Sequence, residues 1–198
     1  MEVWNSPDEI NFEKLPERFV LKCTHDSGAV YICDDRNTFD IDITKRKLAL
    51  RVKQEYYQIG REWPYRDVPK RIIAEEYIDG IVDNNYKFFC FNGECKALYV
   101  ALYREKYVDY FDRDFNHLDI YTEIHGPAPE CPAKPALFER MRDIAETVAE
   151  GIREVRVDLY ISGDKIYFGE CTFLHEAGFM PFQPEHWNKE FGSWLKID

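Results

Sequence analysis

Two carboxylates, Asp158 and Glu170, stand about a dozen residues apart in a stretch that runs Val155-Arg156-Val157-Asp158-Leu159-Tyr160-Ile161, then Ser162-Gly163-Asp164, then Lys165-Ile166-Tyr167-Phe168-Gly169-Glu170-Cys171-Thr172-Phe173. Acids brought side by side repel one another unless a cation lies between them. A divalent ion is one such cation, and Mg²⁺ in particular takes one or two carboxylates and fills its remaining positions with substrate oxygens. Arg156 is another, and Thr172 adds a hydroxyl oxygen beyond the pair.

The side chains can meet only if the two runs pair. Both are rich in β-branched and aromatic residues, and the Ser-Gly-Asp break between them predicts a β-hairpin. Alternation puts Val155, Val157, Leu159 and Ile161 on one face, with Arg156, Asp158 and Tyr160 on the other. A three-residue loop would pair Ile161 with Lys165, setting Arg156 opposite Glu170 and Asp158 opposite Phe168. Asp158 and Glu170 would then be diagonal neighbours, roughly 7–8 Å apart at the backbone. Ile166 and Phe168 would share their face, and a carboxylate among apolar neighbours needs a cation or hydrogen-bond donors to stay ionised. The plain alternative is a half-buried hairpin with solvated charges on its wet side, since exposed antiparallel sheets alternate in the same way.

Upstream, Ser6 with Pro7, Asp8 and Glu9 suits a capped helical turn. Strands are predicted at Arg18–Cys23 and Ala29–Cys33, separated by the polar loop Thr24-His25-Asp26-Ser27-Gly28. Such a loop can offer backbone N–H groups to phosphate, or it can be an ordinary hairpin turn. Asp40–Tyr57 has the mixed three and four spacing of an amphipathic helix, carried by Ile43, Lys47, Leu48, Leu50, Val52 and Tyr56. Arg71–Gly80 reads as a strand running into a turn, and Asn92-Gly93 is the turn of a hairpin over 84–101. Lys87 on that hairpin suits an edge-strand lysine that discourages aggregation. Helices are predicted from Leu137 to about Gly151 and from Pro184 to Leu195, the latter packing Trp187, Phe191 and Trp194. His175 and Glu176 fall in a loop that either contacts substrate or lies on the surface.

The 198 residues include 45% hydrophobic and 16% aromatic side chains, enough for a packed core. A net charge of −11 argues against nucleic acid or an anionic membrane as partner. The six cysteines form no C-x-x-C pair and the five histidines no zinc spacing, which suits reduced thiols. With no apolar run long enough to span a bilayer and no targeting segment, the expectation is a soluble, cytoplasmic protein.

Arg-x-Asp followed by Glu-x-Thr resembles the metal-binding end of the ATP-grasp superfamily, whose usual form closes with Glu-x-Asn. Val-Arg-Val-Asp-Leu-Tyr and Tyr-Phe-Gly-Glu-Cys-Thr-Phe are closer still to the TupA-like ATP-grasp family, which is associated with teichuronopeptide and other surface-polysaccharide biosynthesis. The likeness runs from Leu15-Pro16 to Trp194-Leu195.

The resemblance implies an α+β ATP-grasp fold of two small lobes with antiparallel sheets gripping a nucleotide. Its parts would be a lead-in over 1–16, a first lobe over 17–74, and a hinge with second lobe over 75–198. It implies ATP and Mg²⁺ as cofactors, with metal on Asp158, Glu170 and Thr172. Arg156 would meet phosphate or developing acyl-phosphate charge, and Lys87 would meet phosphate. Lys22 and the loop His25, Asp26, Ser27 and Gly28 would cover the triphosphate, while Glu75, Glu76, Tyr77 and Ile78 would hold adenine. Asn85 stands where the family pattern has an acid, and Asp83 is the nearby substitute for ribose contact.

The implied activity is a carboxylate–amine ligase working through an acylphosphate on a small-molecule or glycan-precursor substrate. The family also carries a further N-terminal region, so a truncated or minimal form is expected. The alternatives are a nucleotide-binding module without catalysis and a kinase on the same fold.

Overall fold

The computed structural model describes residues 2–80, 84–102 and 106–196, in two compact units, 1–78 and 79–198.

The first unit is a four-stranded antiparallel sheet with one main helix. Its strands β1 (Glu2–Trp4), β2 (Phe19–Cys23), β3 (Val30–Cys33) and β4 (Ile72–Glu76) lie in the order β1-β4-β2-β3. Phe19, Leu21 and Cys23 alternate inward along β2 and meet Ile72 and Ala74 of β4 in the core. The lead-in contributes Trp4, Ile10, Phe12 and Leu15 to the same core, and Ser6 caps its short turn by accepting from the Asp8 N–H.

Helix α1 (Ile41–Lys53) is capped by Asp40, whose Oδ1 accepts from the Ile43 N–H at 2.8 Å. It stops at Gln54, where the backbone turns extended, and the short helix α2 (Tyr57–Gly60) is separate. The expected apolar stripe is therefore corrected. Ile43 and Leu50 are exposed, and the inward face is Thr44, Leu48 and Val52, related by steps of four.

The second unit is a six-stranded antiparallel sheet. Strands β5 (Asn84–Phe91), β6 (Glu94–Leu102), β7 (Tyr107–Asp112), β8 (His117–Leu118), β9 (Glu154–Ser162) and β10 (Lys165–Thr172) lie in the order β10-β9-β5-β6-β7-β8. Helix α3 (Phe138–Val148) covers one face, packing Phe138, Met141 and Ala145 against Phe88, Leu98, Val157 and Leu159. Helix α4 (His186–Trp194) covers part of the other face, where Phe191 and Phe182 meet Phe89, Phe91, Tyr99 and Tyr110. The β5–β6 turn falls at Asn92 and Gly93, both at positive φ (53° and 82°) as a type I′ turn requires. Strand β5 is interior to the sheet and Lys87 is buried, so the edge-strand explanation for this lysine does not hold.

Candidate active site on the second sheet

The face away from α3 carries a row of polar side chains laid across adjacent strands. Glu170 on β10 pairs with Asp158 on β9, Asp158 with Lys87 on β5, and Lys87 with Tyr99 on β6. One step along the strands, Thr172, Arg156 and Phe89 form a parallel row. On the other side, Tyr167, Tyr160 and Asn85 form a third.

This register corrects the expected one. Ser162 pairs with Lys165, so the turn has two residues, with Gly163 (φ 61°) in the first central position that suits a type II′ turn. Continued unchanged, that register would set Glu170 opposite Val157, on the α3 face. A bulge at Gly169 shifts the pairing between Phe168 and Glu170 and returns Glu170 to the face of Asp158, directly opposite it. Ile166 and Phe168 precede the bulge and pair with Ile161 and Leu159, so they lie on the face opposite the acids rather than beside them.

The bulge needs a glycine. A Cβ on Gly169 would lie 2.5 Å from Tyr160 Cε2 and 3.1 Å from the Asp158 carbonyl oxygen. Gly169→Ala is expected to cost about 1–3 kcal/mol of stability in a urea titration, and less in a Tyr160→Ala background, where the ring is gone. Equal costs in the two backgrounds would dissociate the glycine from the ring.

Asp158 is 1% exposed and fully engaged. Arg156 grips it bidentately, Nε to Oδ1 at 2.8 Å and Nη2 to Oδ2 at 2.9 Å, and Lys87 Nζ lies 3.1 Å from Oδ2. Arg156 Nη2 also donates to Thr172 Oγ1 at 2.9 Å and reaches Glu170 Oε1 at 3.4 Å. The Thr172 hydroxyl in turn donates to Glu170 Oε1 at 3.2 Å. The Tyr99 ring lies under both cations, 5.7 Å from the guanidinium and 5.8 Å from the ammonium. Glu170 differs from the rest, because its side chain is 51% exposed. The cluster thus joins two cations to two anions, buried at Asp158 and open at Glu170. Arg156, Asp158 and Lys87 are therefore not solvated charges on a wet face, whereas Glu170 is half exposed.

His175 is the residue that sequence reasoning left undecided. Its Nδ1 lies 2.7 Å from Arg156 Nη1, and because a guanidinium has only donors, Nδ1 accepts and the ring proton sits on Nε2. Phe89, Tyr99 and Phe182 surround the ring. Burial first, and then Arg156 and Lys87, pull its pKa down to about 3, so it is neutral at physiological pH. The Nε2 atom has no hydrogen-bond partner among the described residues. The chain beyond it is bent, with Glu176 and Ala177 both at positive φ (48° and 54°).

Asn85 Nδ2 donates to the Tyr160 hydroxyl at 3.1 Å. Asp83 lies outside the described residues.

Within the first unit, Lys22 on β2 forms an ion pair with Glu75 on β4, both partly exposed on the sheet's outer face. The polar loop after β2 divides. His25 is buried and its Nε2 donates to the Arg51 carbonyl at 3.2 Å, while Asp26 accepts from the Ala29 N–H and lies 3.5 Å from Arg51 Nε. Ser27 and Gly28 are exposed, and Gly28 takes φ 103°. The side chains of His25 and Asp26 are therefore both turned inward. Glu76 ends β4 exposed, the Arg18 guanidinium lies 4.0 Å over the Tyr77 ring, and Ile78 is partly buried.

A family model for TupA-like ATP-grasp proteins matches residues 1–196. No curated protein matches the chain. Among solved structures, a D-alanine–D-alanine ligase from Bacillus anthracis complexed with ATP aligns at 16% identity and TM-score 0.44, over 87% of this chain and 46% of that one. The ATP-grasp ligase PsnB, complexed with a phosphomimetic variant of its minimal precursor, Mg and ADP, aligns at 10% identity and TM-score 0.46, over 98% and 52%. An N5-carboxyaminoimidazole synthase from Aspergillus clavatus, with ADP and an aminoimidazole ribonucleotide, aligns at 13% and TM-score 0.47, over 90% and 41%. The chain spans about half the length of these structures.

Proposed function

Because the chain belongs to the TupA-like ATP-grasp family, we propose that it is an ATP- and Mg²⁺-dependent carboxylate–amine ligase acting on a cell-surface polysaccharide or its precursor. The observation that carries this reading is the charge balance of the row. Lys87 and Arg156 are neutralised by Asp158 and Glu170, and Glu170, 51% exposed at its side chain, has an oxygen, Oε2, that accepts no hydrogen bond among the described residues. A donor set of two carboxylates and a hydroxyl, all hard oxygens, fits Mg²⁺. Glu170 is its exposed arm, with Asp158 and Thr172 behind it. The ion would supply charge for a triphosphate that the neutral cluster lacks.

In the proposed reaction a substrate carboxylate oxygen attacks the γ-phosphorus of ATP and ADP leaves. An amine nitrogen then attacks the acyl carbon, phosphate departs, and the amine proton passes to solvent as the amide forms. Phosphoryl transfer of this kind asks the protein mainly for positioned cations. Lys22, Lys87 and Arg156 would supply the donors and the ion on Asp158 and Glu170 the net charge, with Arg156 held in one orientation by Asp158, Thr172 and His175 at once. Lys22, the backbone of His25 and Asp26, and Ser27 and Gly28 are proposed for the phosphates. Glu75, Glu76, Tyr77 and Ile78 are proposed for adenine, and Asp83 for ribose.

A second reading, a nucleotide-binding module without catalysis, is favoured by Thr172. Its hydroxyl is already engaged with Arg156 and Glu170 where the superfamily has an Asn.

The purified chain with ATP, Mg²⁺ and a panel of carboxylates and amines is expected to release ADP and phosphate only when both substrates are present. Glu170→Gln should keep the fold and lose Mg²⁺-dependent nucleotide binding. Tight ATP binding with no phosphate release across the panel would establish the module instead, and a stable phosphorylated product without an amide would establish a kinase.

A further inference from the structure

At the opposite edge of the second sheet, on the α3 side, three side chains from separate segments converge. They are Asp109 on β7, His117 on β8 and Cys131 in the loop that carries Pro127, Pro129, Pro132 and Pro135. One donor atom from each lies within 4.8 Å of the others. Asp109 is 2% exposed, its Oδ2 accepting from the Ala128 N–H at 2.9 Å and its Oδ1 lying 3.0 Å from His117 Nε2. An ordinary buried Asp–His pair would account for these two residues. It leaves Cys131 unexplained, an exposed thiol whose one hydrogen bond among the described residues is a 3.8 Å contact to the next residue's carbonyl.

We propose that Asp109, His117 and Cys131 bind a Zn²⁺ ion, with a fourth position open to water. A thiolate, an imidazole and a carboxylate are the donors Zn²⁺ takes, and one soft sulfur disfavours Mg²⁺ and Ca²⁺. The charges also match, since thiolate and carboxylate together neutralise the ion.

Metal–ligand bonds of about 2.0–2.3 Å place neighbouring donors about 3–4 Å apart. The exposed Cys131 and the half-exposed His117 have room to close by that amount, while Asp109 stays fixed by Ala128. The ion would pin the proline-rich loop to the sheet edge. That loop has no regular element of its own between Leu118 and Phe138, and it is tethered nearby by the Val108 N–H to Gly126 and by Ala128. This site is separate from the Mg²⁺ row, which lies toward the other edge on the opposite face.

The test uses the full chain, stripped of metal by a chelator. Titration with Co²⁺ is expected to give a near-ultraviolet thiolate-to-cobalt band that saturates at one thiolate-bound ion per chain. Zn²⁺ should slow alkylation of Cys131 by iodoacetamide about tenfold or more, read by peptide mass spectrometry, with the Cys171 rate unchanged. Cys131→Ser should abolish the band, and His117→Gln should weaken Co²⁺ binding about tenfold. Both substitutions are at exposed side chains, and the alkylation measurement needs no variant. A Cys131 alkylation rate indifferent to Zn²⁺ overturns the site. So does a cobalt spectrum without a thiolate band, or a band that survives in Cys131→Ser.

Discussion

Asp158→Ala is expected to lower the stability of the second unit by about 3–5 kcal/mol, the range for removing one partner of a buried ion pair. The size follows from what is left behind. Arg156 and Lys87 are 7% and 8% exposed at the side chain, and both direct donors at the Asp158 carboxylate. Without it, two buried cations face each other across adjacent strands. A guanidinium cannot shed its proton to relieve the conflict, so the remedy is for Lys87 to deprotonate or for β9 to open.

Glu170→Ala removes the other acid at far lower cost, about 0–1 kcal/mol, because that side chain is half exposed and its pairing is screened. The two variants therefore separate roles that a single substitution would confound. Both should lose Mg²⁺-dependent nucleotide binding, and only the first should shift a urea midpoint substantially. An Asp158→Ala protein as stable as the unmodified chain would mean that Arg156 finds another counter-charge. A Glu170→Ala protein that still binds Mg²⁺ and ATP normally would remove Glu170 from the metal site.

The contrast between these acids was only half legible in the sequence. Alternation of Val155, Val157 and Leu159 against Arg156 and Asp158 reveals the two faces of β9, because an interior strand has one side for α3 and one for the row. Likewise Asn92-Gly93 specifies its turn locally. The hairpin register is different, since it depends on a turn one residue shorter than expected and a bulge one residue wide. The two shifts together change parity by an even amount, so Glu170 keeps the expected face while Ile166 and Phe168 change sides. Gly169 is the one local signal of the bulge, and its meaning depends on the Tyr160 ring across the ladder.

Long-range partners hide in the same way. His25 turns inward because its acceptor is the Arg51 carbonyl, 26 residues on at the end of α1. His175 is partly buried against Phe89 and Tyr99, which the order of strands brings to it, and against Phe182, seven residues on. On α1, Ile43 and Leu50 look like core residues by composition, yet the steps of four through Thr44, Leu48 and Val52 define the inward face.

Acidification is expected to weaken the second unit from about pH 6.5 downward, with His175 as a principal cause. In the unfolded chain the imidazole takes up its proton near its ordinary value of 6.5, whereas in the fold burial, Arg156 and Lys87 delay protonation to about 3. Between these values the unfolded state holds the extra proton. Stability is therefore complete above the upper value and falls by about 1.4 kcal/mol for each pH unit lost below it, until the lower value is reached. Carboxylates add losses of their own at the acid end, so the upper part of the window, about pH 6.5 to 5, is where the imidazole dominates.

His175→Asn keeps an acceptor for Arg156 Nη1 and removes the titration, so its stability should change less with pH across that interval. His175→Phe removes both, and should cost about 1–3 kcal/mol at neutral pH for the stranded guanidinium N–H. Hydrogen exchange of the β9 amides from Val155 to Leu159 reports this unit separately from the first. Equal slopes for the unmodified and Asn proteins would mean that the folded imidazole protonates as readily as a free one. Arg156 would then be oriented by Asp158 and Thr172 alone.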